Sequence, residues 1–333
     1  MKLARSHKVL ACLLIALGSL AATAAVGCRP TTHAVAPAAL GEVRSGAELD
    51  AVADQPGPVT VETVTAADWE VDRSGLLDLD HPKAKAAGLT DGPEPIQIFF
   101  HAVRHPSRGL FLVDTGCERA LQTDPENAAL RGLVRSAAGG DKMKVRVDTA
   151  TWLSRQPQAP AGVFLTHLHL DHILGLPDVP KGTPLFVGPG EATERAALNA
   201  FVQGTADRAL DGHAPLRELR FEEDPTGTFD GVLDLFGDGS VWALSVPGHT
   251  PGSTAFLART PTGPVLIVGD ASHTAFGWQN GVPPGTFTHD GPRGAESLSK
   301  LRAFAARHPG MDVRLGHQHL PKSEGDSVAR KPW

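Results

Sequence analysis

Three histidines and one aspartate lie within six residues near the middle of this chain, in the pattern H-x-H-x-D-H. These residues are His167, His169, Asp171 and His172. Neutral imidazole nitrogens and carboxylate oxygens are the ligands that zinc, manganese and iron favour in proteins. Because chance rarely places these residue types in this order, the segment predicts a metal site. The chemistry that such a site indicates is a reaction assisted by a bound divalent ion.

Three further candidate ligands each follow an apolar run that predicts a buried strand. They are His249, Asp270 and His317, and a glycine directly precedes each of them. Glycine lets the backbone turn sharply where a strand ends. The H-x-H-x-D-H segment also follows such a run, Ala161–Leu165. The sequence therefore predicts that seven side chains, carried by turns at strand ends, point at one place.

Strands and helices alternate along the rest of the chain. Strands are predicted from their apolar or β-branched runs at 59–64, 96–103, 110–113, 185–187, 232–236, 241–246, 254–257, 265–268 and 311–315. Helices are predicted at Asn127–Ala137, Glu191–Phe201 and Arg293–Arg307. Two halves with this order of elements suit an α/β fold in which two sheets pack face to face with helices outside.

The first 27 residues are predicted to be an export signal. Three basic residues precede the apolar run Val9–Leu20, which is short for a membrane span. The sequence Ala25-Val26-Gly27-Cys28 resembles the lipobox of bacterial lipoproteins, in which the cysteine becomes the lipidated first residue. We expect an exported protein anchored in a membrane through Cys28, in the periplasm or at the cell surface. A plain cleaved secretory signal is the alternative.

Composition predicts the remaining boundaries. Residues 28–58 are rich in Ala, Pro, Gly and Thr and are predicted to be a flexible tether. The catalytic domain is predicted at residues 59–320, and residues 321–333 are predicted to be a polar tail. With one cysteine in the signal and Cys28 modified, only Cys117 remains, which excludes a disulfide framework. Cys117 is predicted to be a small buried residue.

Charge restricts the expected partners. The formal net charge is −6, and removal of the signal takes away three cations and no anions, which leaves −9. An anionic chain without a basic cluster argues against a nucleic-acid partner. A small-molecule substrate is expected, membrane contact is expected only through the Cys28 lipid, and no pattern specifies an oligomeric state. Three histidines in polar stretches, His213, His289 and His308, are expected to be solvated.

The ordered motifs resemble those of the metallo-β-lactamase-fold hydrolases. That family has an aspartate after an early strand, H-x-H-x-D-H, and then a later His, a later Asp and a final His. The same series begins here at Asp114 and ends at His317. The resemblance implies an αββα four-layer sandwich, in which two mixed β-sheets pack face to face with helices outside. It also implies that the site lies along one edge between the sheets.

The resemblance further implies two metal sites. The first ion would be held by His167, His169 and His249. The second would be held by Asp171, His172 and His317, and Asp270 would bridge both. The expected ions are two Zn²⁺, with Mn²⁺ or Fe²⁺ as alternatives, sharing a hydroxide that attacks a carbonyl. Asp171 and Asp270 therefore count among the catalytic residues as well as the ligands.

The segments around the motifs are more similar to the N-acyl-homoserine-lactone lactonase branch of the family. The similar segments are Phe100–Pro106, Leu112–Gly116 and Gly269–Ser272. That branch commonly carries a tyrosine three residues after the bridging aspartate, where this chain has His273. Because histidine can donate a hydrogen bond or act as a general acid, His273 is predicted to be catalytic. Its presence leaves lactone specificity open.

The predicted function is that of an exported dinuclear zinc hydrolase acting on a small ester- or lactone-type carbonyl. Class B β-lactamases lack the bridging aspartate and one class uses a late cysteine ligand, so β-lactamase activity is not expected here. Hydrolysis of a phosphodiester, a sulfate ester or a glyoxalase II-type thioester on the same ions is an alternative. Alternatives of other classes are an iron-dependent oxidoreductase and a zinc-binding surface protein without turnover.

Overall fold

Residues 27–320 are described by the computed structural model. The predicted export signal, apart from Gly27, and the predicted polar tail lie outside the described residues. Within the described part of the chain the strands are β1 (Val35–Pro37), β2 (Glu42–Arg44), β3 (Thr60–Asp72), β4 (Pro93–His105), β5 (Gly109–Val113), β6 (Lys144–Val145), β7 (Gly162–Phe164), β8 (Leu185–Val187), β9 (Leu216–Glu218), β10 (Val232–Asp234), β11 (Val241–Ser245), β12 (Thr254–Thr260), β13 (Gly263–Ile267) and β14 (Asp312–Arg314).

The helices of the same residues are mostly short. They are α1 (Gly46–Val52), α2 (Arg73–Leu76), α3 (Pro82–Ala86), α4 (Ala120–Thr123), α5 (Gly132–Ala137), α6 (Thr149–Leu153), α7 (Leu170–Ile173), α8 (Asn199–Leu210), α9 (Ala275–Asn280) and α10 (Gly291–Arg307). Single 3-10 turns occur at Gly140–Lys142, Leu176–Asp178 and Gly269–Ala271. Between residues 27 and 320, no helix combines the length and the apolar character that crossing a bilayer requires.

Two mixed sheets form the centre of the molecule. The first has the order β1-β9-β8-β7-β5-β4-β3-β6, and the second has the order β14-β13-β12-β11-β10-β2. In the first sheet β1, β9, β8, β7 and β5 run parallel. In the second sheet β13 and β14 run parallel and the other pairs are antiparallel. The carboxyl ends of several parallel strands therefore meet at one edge of the sandwich.

Aromatic side chains fill the space between the two sheets. Phe111 and Phe164 of the first sheet stack with ring centroids 5.3 Å apart, and Phe164 lies 5.5 Å from Phe256 of the second sheet. Val113 and Ile267 belong to the same buried cluster. Large rings that interdigitate across the interface remove much apolar area from water and hold the sheets together.

The helices cover the two outer faces. Trp152 of α6 and Leu210 of α8 pack in the cluster on the outside of the first sheet. Leu301 and Phe304 of α10 pack on the second sheet, as the apolar spacing of that helix predicts. Asp290 caps α10 by accepting a hydrogen bond from Arg293 N, 3.0 Å. The four-layer αββα sandwich expected from the sequence is confirmed.

The predicted tether at residues 28–58 is wrong. β1 pairs in parallel with β9 at the edge of the first sheet, and β2 pairs with β10 at the edge of the second. The capped helix α1 buries Leu49 against the second sheet. Strands of three residues show no periodicity, and their partners lie far away in the sequence, so composition alone suggested a linker. The folded domain therefore begins well before residue 59.

Two predicted helices also have different bounds. Only Gly132–Ala137 of the segment Asn127–Ala137 is helical, because the buried carboxylate of Glu118 accepts a hydrogen bond from Ala129 N and holds the chain there in a turn. In place of a helix at Glu191–Phe201, the chain makes turns and then forms α8 from Asn199 onward.

Two of the three histidines expected to be solvated are buried. His308 lies between two carboxylates, with Nδ1 2.9 Å from Asp54 Oδ2 and Nε2 3.0 Å from Asp50 Oδ1. These contacts tie the end of α10 to α1. His213 Nε2 is hydrogen-bonded to the carbonyl of Leu176, 2.9 Å. The partners that burial of these imidazoles requires lie far away in the sequence, so the polar stretches around the two residues gave no sign of burial.

Substitutions in the N-terminal segment test whether it belongs to the fold. Leu49→Ala leaves a cavity where the side chain was 0% exposed, so we expect the free energy of unfolding to fall by about 2–5 kcal/mol. Val43→Ala in the same segment truncates a side chain that is 42% exposed, so a change within about 0.5 kcal/mol is expected. Urea denaturation measures both. If both substitutions left the free energy of unfolding unchanged, the segment would be a flexible tether, as the composition predicts.

Candidate metal centre

The seven predicted ligands lie together at the edge of the sandwich where strands of both sheets end. The turn after β7 carries four of them, and the turns after β11, β13 and β14 carry one each. Thr254 N donates a hydrogen bond to Thr166 O, 2.9 Å, which joins the second sheet to the start of the histidine-rich turn. The convergence predicted from the sequence therefore has a structural cause, namely the alignment of strand ends from both sheets.

The side chains form two groups that share one carboxylate. One group is His167, His169, His249 and Asp270, and the other is Asp171, His172, Asp270 and His317. Within each group, one donor atom per residue lies within 4.8 Å of all the others. Four nitrogen or oxygen donors at this spacing match the ligand number and type that zinc takes in proteins. The shared Asp270 places the two groups side by side.

Asp270 Oδ2 is the atom on which the centre converges. Its distances to Nε2 atoms are 3.2 Å for His317, 3.3 Å for His172, 3.5 Å for His249 and 3.7 Å for His167. The side chain is buried. One buried carboxylate oxygen cannot accept hydrogen bonds from four imidazoles at once, so the packing of these rings is the packing of ligands.

Two buried polar atoms of the centre have no hydrogen-bond partner. They are Nε2 of His172 and Oδ1 of Asp270. Unsatisfied buried polar atoms are rare and call for an explanation, such as an ion. A Cβ added to Gly316 would come within 2.0 Å of Asp270 Oδ1, so only glycine leaves room for that carboxylate. These residues therefore fit a pair of divalent cations.

In three histidines of the centre, the Nδ1 atom, which points away from the other ligands, is hydrogen-bonded to an oxygen. Nδ1 of His172 lies 2.7 Å from Asp114 Oδ2, and Nδ1 of His317 lies 2.9 Å from the carbonyl of Gln97. Nδ1 of His273 lies 2.9 Å from the carbonyl of Leu76. A carbonyl or carboxylate oxygen only accepts, so Nδ1 carries the hydrogen in each ring. In the neutral form Nε2 then presents its lone pair to the centre.

Asp114 holds the histidine-rich turn in place through hydrogen bonds to its carboxylate. Its carboxylate accepts hydrogen bonds from Thr166 N at 2.8 Å and Thr166 Oγ1 at 2.9 Å, in addition to the one from His172. Asp114 has φ of +58°, and among residues 27–320 it is the only non-glycine residue with positive φ. Strained backbone of this kind persists where surrounding contacts over-determine it. Asp114 therefore orients His172 and holds the start of the turn that carries four ligands.

The two groups differ in their electrostatics. Burial and the neighbouring histidines hold the pKa values of His167 and His249 well below the usual range. Burial lowers the pKa of His169 to about 4. In the second group burial acts in the same direction, but the carboxylates of Asp270 and its neighbours prevail. They raise the pKa of His172 well above the usual range and that of His317 to about 10.

The difference in histidine pKa between the two groups determines whether a metal ion must displace protons when it binds. The imidazoles of the first group are neutral and ready to bind. Those of the second group are protonated and ion-paired with Asp171 and Asp270, whose pKa values the nearby histidines hold low despite the opposing effect of burial. Binding an ion there must therefore release protons, as is general for histidine ligands.

His273 lies inside the centre and is buried. Its Nε2 is 3.2 Å from Asp270 Oδ2, as close as that of His317. Its ring stacks on the ring of His317 with centroids 5.6 Å apart, and it lies 5.0 Å from the ring of His249. The structure thus brings together all eight side chains that the sequence predicted for the site.

Sequence reasoning missed Glu191. Its buried carboxylate accepts hydrogen bonds from Leu168 N at 2.7 Å, Thr250 Oγ1 at 2.7 Å and Gly252 N at 3.0 Å. It therefore ties the turn that carries His169 to the loop that carries His249. Burial raises the pKa of Glu191, and the hydrogen bond from Thr250 opposes that effect. The available signal was its place one glycine-rich turn after β8, at the same edge of the sheet.

Removal of one acceptor from this link should weaken metal binding. Glu191→Gln keeps the shape but replaces one carboxylate oxygen by an NH₂ group, which cannot accept from the backbone N–H groups. We expect metal affinity to fall by roughly 10–100-fold, measured by competition with a chelator. Glu194→Gln, at a half-exposed position three residues away, is the matched control and should bind as the unsubstituted protein does. Equal affinities for both variants would remove Glu191 from the metal centre.

Comparison with known proteins identifies the family. Residues 94–317 match the family model of the metallo-β-lactamase superfamily. This match spans more than half of the chain, and the chain belongs to that superfamily.

Individual relatives narrow the class. The chain is 31% identical over 232 residues to the N-acyl homoserine lactonase AttM of Rhizobium johnstonii, and 30% identical to AttM of Agrobacterium fabrum. Each alignment covers 67% of this chain and 82% of the relative. The solved structure of a quorum-quenching N-acyl homoserine lactone lactonase shares the fold, with a TM-score of 0.55, 19% identity, and 79% and 93% of the two chains covered. The protein is a metal-dependent hydrolase of the lactonase-like type.

Proposed function

We propose that this protein uses two zinc ions to hydrolyse a small ester- or lactone-type carbonyl substrate. The observation that carries the proposal is the pair of four-donor groups that share Asp270, with two buried ligand atoms that have no hydrogen-bond partner. The similarity to AttM lactonases supports a lactone as the first substrate class to examine.

Each residue has a defined task in this proposal. The neutral imidazoles of His167, His169 and His249 hold the first ion. Asp171, His172 and His317 would hold the second, and Asp270, which belongs to both groups, would contact both ions. When bound, two such ions supply an ionised water at neutral pH and polarise the substrate carbonyl. The residues themselves keep the ions close together, and Asp270 screens their mutual repulsion.

His273 has a separate task, which is to interact with the substrate. The hydrogen bond from Nδ1 to the Leu76 carbonyl fixes the ring, so Nε2 faces the centre and cannot rotate away. Because Nδ1 donates to Leu76, Nε2 carries a hydrogen only when the ring is an imidazolium. In that form we assign to His273 a hydrogen bond to the carbonyl or leaving oxygen of the substrate, the place that a tyrosine takes in the similar lactonases. A ring that is held rigidly loses little entropy when it makes this contact.

We also propose that the protein is exported from the cytoplasm. Its support is the basic start, the apolar run and the small residues before Cys28 at the beginning of the chain. On this proposal the enzyme acts outside the cytoplasm. A substrate that is small and able to diffuse through the periplasm or the medium fits this location.

Turnover assays on a substrate panel test the function. We expect the purified protein to hydrolyse N-acyl homoserine lactones in preference to aryl esters, phosphodiesters and β-lactams, to lose activity with a chelator, and to regain it with Zn²⁺. His169→Ala should lose bound zinc and roughly 10²–10³-fold in kcat, because the carbonyl oxygen loses electrostatic stabilisation. His33→Ala, which removes an imidazole outside the centre, should change neither. Turnover of phosphodiesters alone would overturn the carbonyl assignment.

The role of His273 is tested by comparing metal content with rate. His273→Ala should keep two zinc ions per chain and lower kcat by about 10²-fold or more, with a smaller effect on KM. Elemental analysis and steady-state kinetics give the two readouts. Loss of one zinc ion would make His273 a metal ligand instead, and an unchanged kcat would remove it from the reaction.

A further inference from the structure

The beginning of the described chain lies against the first turn of α8. The carbonyl of Cys28 accepts hydrogen bonds from Ala196 N at 3.1 Å and Asn199 Nδ2 at 3.0 Å. Gln203 Nε2 donates to the carbonyl of Arg29, 2.7 Å. Thr32 N and Oγ1 donate to the carboxylate of Asp207 at 2.7 and 2.8 Å. Cys28 is therefore fixed on the surface of the domain, because the following residues run along this helix.

An exposed apolar face adjoins Cys28. It comprises Ala197, Leu198, Ala200 and Phe201, and we call it the α8 face. Leu198 is 68% exposed and Phe201 is 46% exposed, which is uncommon for side chains of this size. Two exposed arginines, Arg29 and Arg195, lie beside the face. An apolar surface flanked by cations is the combination that binds the interface of an anionic membrane.

We propose that the α8 face rests on a lipid bilayer when Cys28 carries a diacylglyceryl group. In the attachment, Sγ of Cys28 forms a bond to the glyceryl carbon of a phospholipid. The bond from that carbon to the phosphate oxygen breaks, and the thiol proton leaves with the phosphate headgroup. The acyl chains then leave the domain at Cys28 and must enter the bilayer within a few ångströms of this point.

Because no flexible tether separates Cys28 from the folded domain in the described chain, the lipid would fix the orientation of the domain relative to the bilayer. A flexible linker would let the domain rotate freely above the membrane. Here Cys28 itself is hydrogen-bonded to the turn before α8, so the lipid and the α8 face reach the bilayer together. Two acyl chains supply the anchor, and insertion of Leu198 and Phe201 buries further apolar surface.

The same orientation places the metal centre near the membrane. Glu194, in the turn before α8, lies 3.7 Å from His289, and His289 N donates to the carbonyl of His249, 2.9 Å. The turn before α8 is thus linked through His289 to the loop that carries His249, at the edge of the metal centre. On the proposed function, on which only this consequence rests, substrates with long acyl chains dissolved in the bilayer would reach the site from the membrane side.

Hydrogen–deuterium exchange on vesicles tests the proposal without any assay of activity. The chain from Cys28 onward is coupled through the Cys28 thiol to a maleimide phospholipid in phosphatidylethanolamine–phosphatidylglycerol vesicles. Cys117 does not compete, because it is fully buried and burial raises the pKa of its thiol. We expect amides of residues 194–203 to exchange roughly tenfold more slowly on vesicles than in solution. Amides of β2 should be unchanged.

Paired variants identify the side chains responsible. Leu198→Ser combined with Phe201→Ser should remove the vesicle-dependent protection although the lipid remains attached, whereas Val43→Ser, at another exposed apolar position, should keep it. Protection of a different face, or of none, in the unsubstituted protein would overturn the proposal. So would protection of residues 194–203 that grows with protein concentration in the absence of vesicles, since a second copy of the chain would then be the occupant.

Discussion

The structure depends on one buried negative charge, the carboxylate of Asp270. Its Oδ2 faces the Nε2 atoms of five histidines at 3.2–3.7 Å, and its Oδ1 has no partner. Ionised groups are costly to bury unless charge of opposite sign compensates them. Protonated histidines of the second group supply that compensation, and bound divalent cations would take it over as these histidines release their protons. Asp270 comes from the second sheet and the H-x-H-x-D-H turn from the first, so the centre forms only when both sheets are packed together.

The residues that position the metal ligands differ from those that take part in the proposed reaction. Asp114 and Glu191 are buried, and each carboxylate accepts a hydrogen bond from the backbone of a turn that carries ligands. Asp114 orients one imidazole, and Glu191 joins two loops that belong to different sheets. Rigid support of this kind matters because small errors in ligand position weaken metal binding and slow the reaction. The fold can therefore change its substrate through loop residues such as His273 while the support stays the same.

The metal ligands were predictable because their signals are local. A histidine-rich turn after a buried strand, and a glycine before each later ligand, are visible in the sequence and have a direct physical meaning. The position of Glu191 after β8 indicated the correct edge of the sheet, but its role was not predictable, because its three partners come from two other turns. For the same reason the sequence predicts a linker where β1 and β2 form. Each has three residues, and each is a strand only because a partner far along the chain pairs with it.

The pairing of β1 and β2 also has a consequence for the order of folding. β1 joins the edge of the first sheet through β9, and β2 joins the edge of the second through β10. A chain made from its amino terminus produces these two strands first, but their partners appear only after some 180 further residues. Contacts of such long range form slowly. Both sheets must therefore be largely assembled before the first strands can be added, and the amino-terminal segment closes the domain last.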